Sequence, residues 1–219
     1  MLRTLEQAGV VAQHATSQRY TLRLTVAVLG YKALKHLKIR DLVQATLERL
    51  AAQTGECSHL AILANDRAFY VEQVGPERGV SVDAPVGALA PLYCTALGKV
   101  LLAFQPPRKQ EQLLADIRFE AFTRRSILEA AAFRSHREAV RDSGIGFDDE
   151  EFSVGVRCIA APVFRHDGAL VGAIGISGPS PRITDDRMRI WGDLVRAEAD
   201  ALSAKFGFQE PRRHPVAAA

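Results

Sequence analysis

Cysteine is scarce in this sequence, and so is anything that would tie the chain to a membrane or a metal. Its three cysteines, Cys57, Cys94 and Cys158, are scattered along 219 residues. Their odd number and wide spacing give no disulfide framework and no zinc pattern, which fits a reducing, cytoplasmic compartment. The six histidines show no metal spacing either, so no metal or other cofactor is expected. No apolar run approaches the length of a membrane span. The N-terminus lacks the apolar core of a signal peptide, because Leu2 to Leu5 is followed by charged and polar residues. A strong excess of one charge is also missing. A formal net charge of +3 identifies no nucleic-acid binder by itself, so any such role must rest on where the cations sit. What remains is ordinary globular composition, 47% hydrophobic and 24% charged, with enough chain for a well-buried core.

Periodicity and punctuation divide the chain. Residues 1–9 read as a helix stopped by Gly9, with Leu2 and Leu5 on one face. Two short strands around the polar turn His14–Gln18 suggest a small hairpin, and a helix covers about Thr25 to His36. Asp41 looks like an N-cap for a helix closed by Gly55. From Cys57 the period becomes that of strands: CSHLAIL, the turn Asn65-Asp66 and RAFYVEQV form a hairpin, and Gly79 to Asp83 reads as a third short strand. The Pro-, Gly- and Ala-rich stretch 84–93 reads as a loop. Thr95 caps a helix running to Phe104 and ended by Pro106-Pro107. Helices are expected around 108–115 and 126–142, the latter ended by Gly144 and Gly146. Strands at 154–164 and 169–177 flank the turn His166-Asp167-Gly168. Thr184 caps a last helix, with Asp185 and Asp186 at its positive end and an apolar stripe of Ile190, Trp191, Leu194, Val195, Ala201 and Leu202. The tail from about Gln209 reads as disordered. The expected fold class is α+β, an antiparallel sheet with helices packed on one face.

Four segments, in order, resemble the IclR family of bacterial regulators. GIGFDDEEFSVGVRCIAAPVF, Gly144 to Phe164, is similar to its signature at Gly144, Asp148, Glu151, Cys158, Ile159, Ala160, Val163 and Phe164. Arg165 stands where the signature usually closes with Asp or Asn. PLYCTALGKVLLA (91–103) resembles the family's Pro-Leu…Thr-Ala-Leu-Gly-Lys helix, and GAIGISGPSPRIT (172–184) its last strand and turn. Residues 1–30 resemble the end of a recognition helix and its wing. Four ordered segments are far more specific than one short motif.

The resemblance implies a GAF-like effector domain at 41–208, a linker helix at 31–40, a winged-helix remnant at 1–30 and a tail at 209–219. It implies a homodimer or tetramer regulating catabolic genes and sensing a small organic acid. It also implies that the first two helices of the DNA-binding domain, and most of the third, lie outside this chain, so that DNA binds only where the full helix-turn-helix is present. Three positions match polar effector contacts of the family: Asp148, Cys158 and Ser177. A fourth, usually serine, is Gly175, and the lost hydroxyl is expected to leave room for a larger ligand such as a ring. Arg3, Arg19 and Arg23 are the candidate phosphate contacts.

Strand alternation supports the same place independently. Ala173, Gly175 and Ser177 point to one side, as do Cys158 and Ala160, so something bulky must fill the space above them, either a ligand or a packed helix. Thr95, Ala96, Leu97 and Gly98 open a helix whose free N–H groups suit a carboxylate, although Thr95 also serves as a plain cap. Lys99 could attract an acid, yet a lysine at that position is more often solvated. Asp148 would repel an acid and accept from a hydroxyl, or simply bond its own turn. Two rival readings are a stand-alone sensor or dimerising partner without DNA binding, and a cysteine-dependent GAF-like enzyme. The last lacks both a histidine beside Cys158 or Cys94, its candidate nucleophiles, and a strained nucleophile elbow, so no catalytic residue and no enzyme activity are expected.

Overall fold

The structure is a computed structural model that describes residues 1–14, 16–35, 39–75, 82 and 84–209. The chain forms two compact units, Met1–Asp41 and Leu42–Ala219. In the first, α1 (Leu2–Gln7) is followed by an antiparallel hairpin of β1 (Val11–Gln13) and β2 (Tyr20–Leu22), and then by α2 (Leu24–Lys35). Gly9 takes the left-handed conformation after α1 at φ +68°, as the sequence anticipates. Residues 36–38, within the expected linker helix, lie outside the described residues, as does the expected tail from 210 onward. So does most of the expected strand Gly79–Asp83.

The second unit is built on one six-stranded antiparallel sheet in the order β5-β4-β3-β8-β7-β6. Its strands are β3 (Cys57–Ala64), β4 (Arg67–Val74), β5 (Leu89–Pro91), β6 (Gly146–Asp149), β7 (Val156–Phe164) and β8 (Leu170–Pro179). Its helices are α3 (Ile39–Thr54), α4 (Ala96–Ala103), α5 (Pro107–Asp116), α6 (Ala130–Ser143) and α7 (Asp185–Lys205). The α+β class and the antiparallel sheet are as expected, but the helices cover both faces rather than one. In β7, Ile159, Ala160, Ala161 and Val163 are all fully buried, which requires a layer on each side. On one face Ala61, Ala160 and Ala173 pack in the cluster that holds α4. On the other, Ser58 donates to the Leu47 carbonyl of α3 at 2.7 Å, and the Phe164 N–H donates to Ser203 of α7 at 3.0 Å. A strand covered on both faces shows no clean alternation, which is why one layer was missed.

Several boundaries also differ. α3 starts at Ile39, ahead of Asp41. Pro107 does not merely end α4 but occupies the first position of α5, where its missing N–H costs nothing. The expected helix at 126–142 begins only at Ala130. β5 lies within the stretch read as a loop, and β6 follows directly on Gly144, which caps α6 at φ +71°.

Candidate effector pocket

Residues two apart on a strand share a face, and register aligns three such residues into a row. Asp148 of β6 pairs with Cys158 of β7, which pairs with Ser177 of β8. The next row on the same face is Gly146, Ala160 and Gly175. Above these rows lies α4. All eight of its residues are buried, as befits a helix that is apolar on nearly every side.

The second row is what lets α4 approach. A Cβ at Gly146 would lie 2.8 Å from both the Ala96 carbonyl oxygen and Val100 Cγ2. A Cβ at Gly175 would lie 2.3 Å from the Ile159 carbonyl oxygen of the adjacent strand. Gly175 therefore adds no room above the sheet, since its hydrogen faces neighbouring backbone.

Beyond the N-terminal end of α4 a cavity of about 110 Å³ remains. Thr95, Ala96, Leu97, Asp148, Cys158 and Ser177 line it, together with Tyr70, Phe152 and Ser153. Six of the eight positions singled out in the sequence thus meet in one cavity, while Gly98 and Gly175 are not among its lining residues. Gly98 serves packing instead: a Cβ there would fall 2.5 Å from the Pro91 carbonyl oxygen and 2.6 Å from Leu92 Cα. Its N–H is also spent, donating to Thr95 Oγ1 at 3.1 Å, and the Thr95 hydroxyl in turn donates to the Pro91 carbonyl at 2.7 Å. Ala96 and Leu97, which line the cavity, stand in the first turn, whose N–H groups an α-helix cannot satisfy internally.

Electrostatics set the character of the opposite wall. Asp148 is 1% exposed. Its Oδ1 accepts from the Glu151 N–H at 2.7 Å and from the Phe152 N–H at 3.4 Å, so it fastens its own turn as well as facing the cavity. Burial drives its pKa up to about 7, and the Glu151 carboxylate pushes the same way; the two N–H bonds and Lys99 only partly offset this. Lys99 is not solvated but 2% exposed. It forms a short ion pair with Glu151 and donates to the Phe147 carbonyl at 2.8 Å. Burial pushes the Cys158 thiol far above its ordinary range, reinforced by the charge of Asp148 and its bond to Cys158, while the Ser177 hydroxyl pulls the other way. Cys94 is likewise pushed up to about 12, chiefly by burial. A thiol with so little thiolate is a poor nucleophile.

Tyr70 was not singled out from the sequence. It reaches the cavity from β4 and stands edge-on to His59, with ring centroids 5.5 Å apart. Across the sheet, a wider depression of about 560 Å³ lies between β6 and α7. Its carboxylates Asp149, Asp185 and Asp193 are already paired with arginines, so it offers little unsatisfied chemistry. In the first unit Arg3, Arg19 and Arg23 are exposed, on α1 and flanking β2. Among the described residues, no cluster of three or more His, Cys, Asp or Glu could hold a metal ion. No described helix is long and apolar enough to cross a membrane.

Comparison with known proteins identifies the family. The family described as "Bacterial transcriptional regulator IclR C-terminal" matches residues 31–204. The HTH-type transcriptional regulator KdgR of Escherichia coli (strain K12) is 31% identical over 209 residues, covering 95% of this chain and 80% of that protein. The transcriptional repressor IclR of the same organism is 28% identical over 209 residues, covering 94% of this chain and 76% of the repressor. Among solved structures, the Thermotoga maritima IclR aligns with a TM-score of 0.80 at 27% identity, covering 94% of this chain and 83% of that one. The C-terminal domain of E. coli KdgR aligns at 0.70 and 30% identity, covering 78% of this chain and 99% of that domain. The chain belongs to the IclR family of bacterial transcriptional regulators.

Proposed function

We propose that this regulator senses a small, hydroxylated organic acid held in the cavity between the start of α4 and the row Asp148–Cys158–Ser177. One observation carries the reading. A single cavity joins the anion-favouring end of a buried helix to three polar side chains brought into line by strand register. The carboxylate lies at the Ala96 and Leu97 N–H groups, Ser177 donates to it, and Asp148 meets a hydroxyl. The size of the cavity favours a short-chain acid. An apolar cavity of roughly 150 Å³ accepts one benzene ring, and this one measures about 110 Å³. With Gly175 turned toward backbone, the argument for an aromatic effector loses its support.

Isothermal calorimetry with two- to five-carbon hydroxy acids and with hydroxybenzoates is the test. A short acid binds, the ring compounds do not, and Leu97→Trp abolishes binding by filling the cavity. An effector whose affinity is the same in Leu97→Trp places the site elsewhere.

Self-association belongs to the same proposal. On α2 and the strand before it, Leu22 is 72% exposed and Leu24 80%, with Val28 and Leu29 also exposed. A run of apolar side chains of this kind marks an interaction surface, and we read it as the seam of a homodimer or tetramer. Sedimentation showing a strict monomer at micromolar concentration contradicts this. Residues 1–30 we read as part of a winged helix-turn-helix, with Arg3, Arg19 and Arg23 toward phosphates. Sequence readout needs a recognition helix supported by partner helices in the major groove. Tight, operator-specific binding that survives replacement of all three arginines by alanine contradicts that reading. The place of action is the cytoplasm, where bacterial DNA lies.

A further inference from the structure

Resting on the effector reading above, we infer that the acid enters its cavity together with one proton, and that Asp148 is the residue holding that proton. The argument starts from a charge imbalance. Among the described residues lining the cavity there is no lysine, arginine or histidine, and Asp148 is the one carboxyl group. Two other buried carboxylates of the same unit, Glu56 and Glu151, are matched by cations. Glu56, 1% exposed, receives both a 2.6 Å bond from Arg182 Nε and a 2.6 Å bond from Arg182 Nη2. Glu151 is held by Lys99. Among the described residues, the bonds to Asp148 come from backbone N–H donors and the Cys158 thiol, with no cation among them.

Every element packed around Asp148 brings a titratable or charged group whose sign can be read. From its own turn comes the Glu151 carboxylate, and from α4 comes Lys99, already committed to Glu151 and to the Phe147 carbonyl. β7 contributes the Cys158 thiol, β4 the Tyr70 phenol and the segment before α4 the Cys94 thiol, all pushed toward their neutral forms by burial. On the far side of Glu151, His136 of α6 borders a separate groove with Lys99. No spare positive charge faces the cavity from this set.

A carboxylate effector confined with Asp148 in about 110 Å³ puts two acids within a few ångströms of each other in a water-poor space. Two carboxyl groups so placed do not both ionise; they share a proton and titrate as a pair. The helix N–H groups favour charge on the effector, so the proton rests on Asp148. A protonated Asp148 then donates a hydrogen bond to the ligand, which the ionised form cannot do. In the free protein Asp148 already titrates at about 7, so the proton is largely in place in mildly acidic solution and must be taken up in alkaline solution. An acid with a pKa of about 4 is itself ionised across this range. Its apparent Kd is therefore flat below about pH 6 and rises roughly tenfold per pH unit above about 7.

The experiment is calorimetric titration of the full chain with lactate and with 3-hydroxybutyrate between pH 6 and 8.5. It is repeated at pH 8 in phosphate and in Tris, whose different ionisation heats count the protons exchanged. Uptake close to one proton at pH 8 and close to none at pH 6 is expected. Asp148→Asn, which keeps a donor and removes the charge, is expected to bind with a Kd that no longer depends on pH and to take up no proton at pH 8. Binding of either acid with a pH-independent Kd and no proton uptake overturns this inference while leaving the effector reading intact. Unchanged proton uptake in a folded Asp148→Asn protein moves the proton to another group and overturns the role of Asp148. Failure of both acids to bind at every pH overturns the effector reading and this inference with it.

Discussion

Two neighbouring rows on one face of the sheet have opposite fates. Gly146, Ala160 and Gly175 are roofed directly by α4 or pressed against adjacent strands, while Asp148, Cys158 and Ser177, one strand step away in each case, border a cavity. Both rows are made of small or short side chains, so size alone does not make a site. The first row gives up side chains so that backbones can touch. The second keeps compact polar groups beyond the point where α4 begins. Where a helix starts, and not merely how much space a strand leaves, decides which row is filled by protein and which is open to a ligand.

The contrast extends to charge, and there the largest effect is expected. Lys99 supports the roofed region by neutralising Glu151, both of them buried. Lys99→Met keeps the stem length and removes the ammonium, leaving an unpaired buried carboxylate. Breaking one side of a buried pair costs about 3–5 kcal/mol. Urea unfolding followed by circular dichroism should show that loss, and a midpoint within error of the parent's would mean that Glu151 finds another partner or takes up a proton at no cost.

A slightly smaller effect comes from filling the glycine row. Gly175→Ser restores the family's usual hydroxyl, but its Cβ would meet the Ile159 carbonyl oxygen at 2.3 Å. Backbone on a central strand cannot yield as a side chain can, so a loss of about 3 kcal/mol is expected, the upper end for overpacking. Thermal melts measure it. A variant as stable as the parent would show that β7 and β8 can separate locally, and would reopen the case for a larger cavity.

The sequence was legible where local chemistry decides. Thr95 and Thr184 cap α4 and α7 through their hydroxyls, Gly144 ends α6, and the hairpin turns at Asn65-Asp66 and His166–Gly168 fall between paired strands. It was less legible where tertiary packing decides. β5 and β6 are edge strands of three and four residues, too short to show a period of two. The apolar stripe assigned to the last helix is met in part, since Val195 and Leu202 are buried as expected. Ile190 is 61% exposed, and the buried face runs through Gly192, Val195, Ala199 and Leu202, because small residues at the sheet contact carry little hydrophobic signal. Strand alternation and family resemblance together brought out Asp148, Cys158 and Ser177. Tyr70 had no such mark. It reaches the cavity through the length of its side chain on β4, next to a register shift at Leu60/Ala61 that no local pattern announces. Lys99 was misread because burial of a lysine depends on a glutamate 52 residues away.

The open row should also be visible in how stability follows pH. Burial raises the folded pKa of Asp148 from the ordinary 3.8 to about 7. The folded state therefore binds the proton more tightly than the unfolded chain. The resulting stabilisation is complete below about pH 4 and is lost as pH rises through about 7. Asp148→Asn has no such titration. Relative to this variant, the parent should lose about 2–3 kcal/mol between pH 4.5 and 8, measured as the change in the stability difference so that all other titrating groups cancel. A constant difference across the range would mean that Asp148 is solvated enough to keep an ordinary carboxyl pKa.

The smallest expected change in stability is at Ser177, and it separates the two rows most directly. Ser177 sits at the cavity between Cys57 and Cys158 in register, and its hydroxyl meets the soft Cys158 sulfur. Ser177→Ala removes that weak contact and little polar surface, so the unfolding free energy should move by less than about 1 kcal/mol. A hydrogen bond to a charged carboxylate is worth about 1.5–3 kcal/mol, so effector affinity should fall by roughly tenfold or more. Chemical denaturation and calorimetry on the same preparation give both numbers. The expected pairing is a near-native midpoint with a tenfold weaker Kd. A large stability loss with unchanged affinity would make Ser177 a packing residue like its neighbours in the glycine row, and the contrast between the rows would then rest on Asp148 alone.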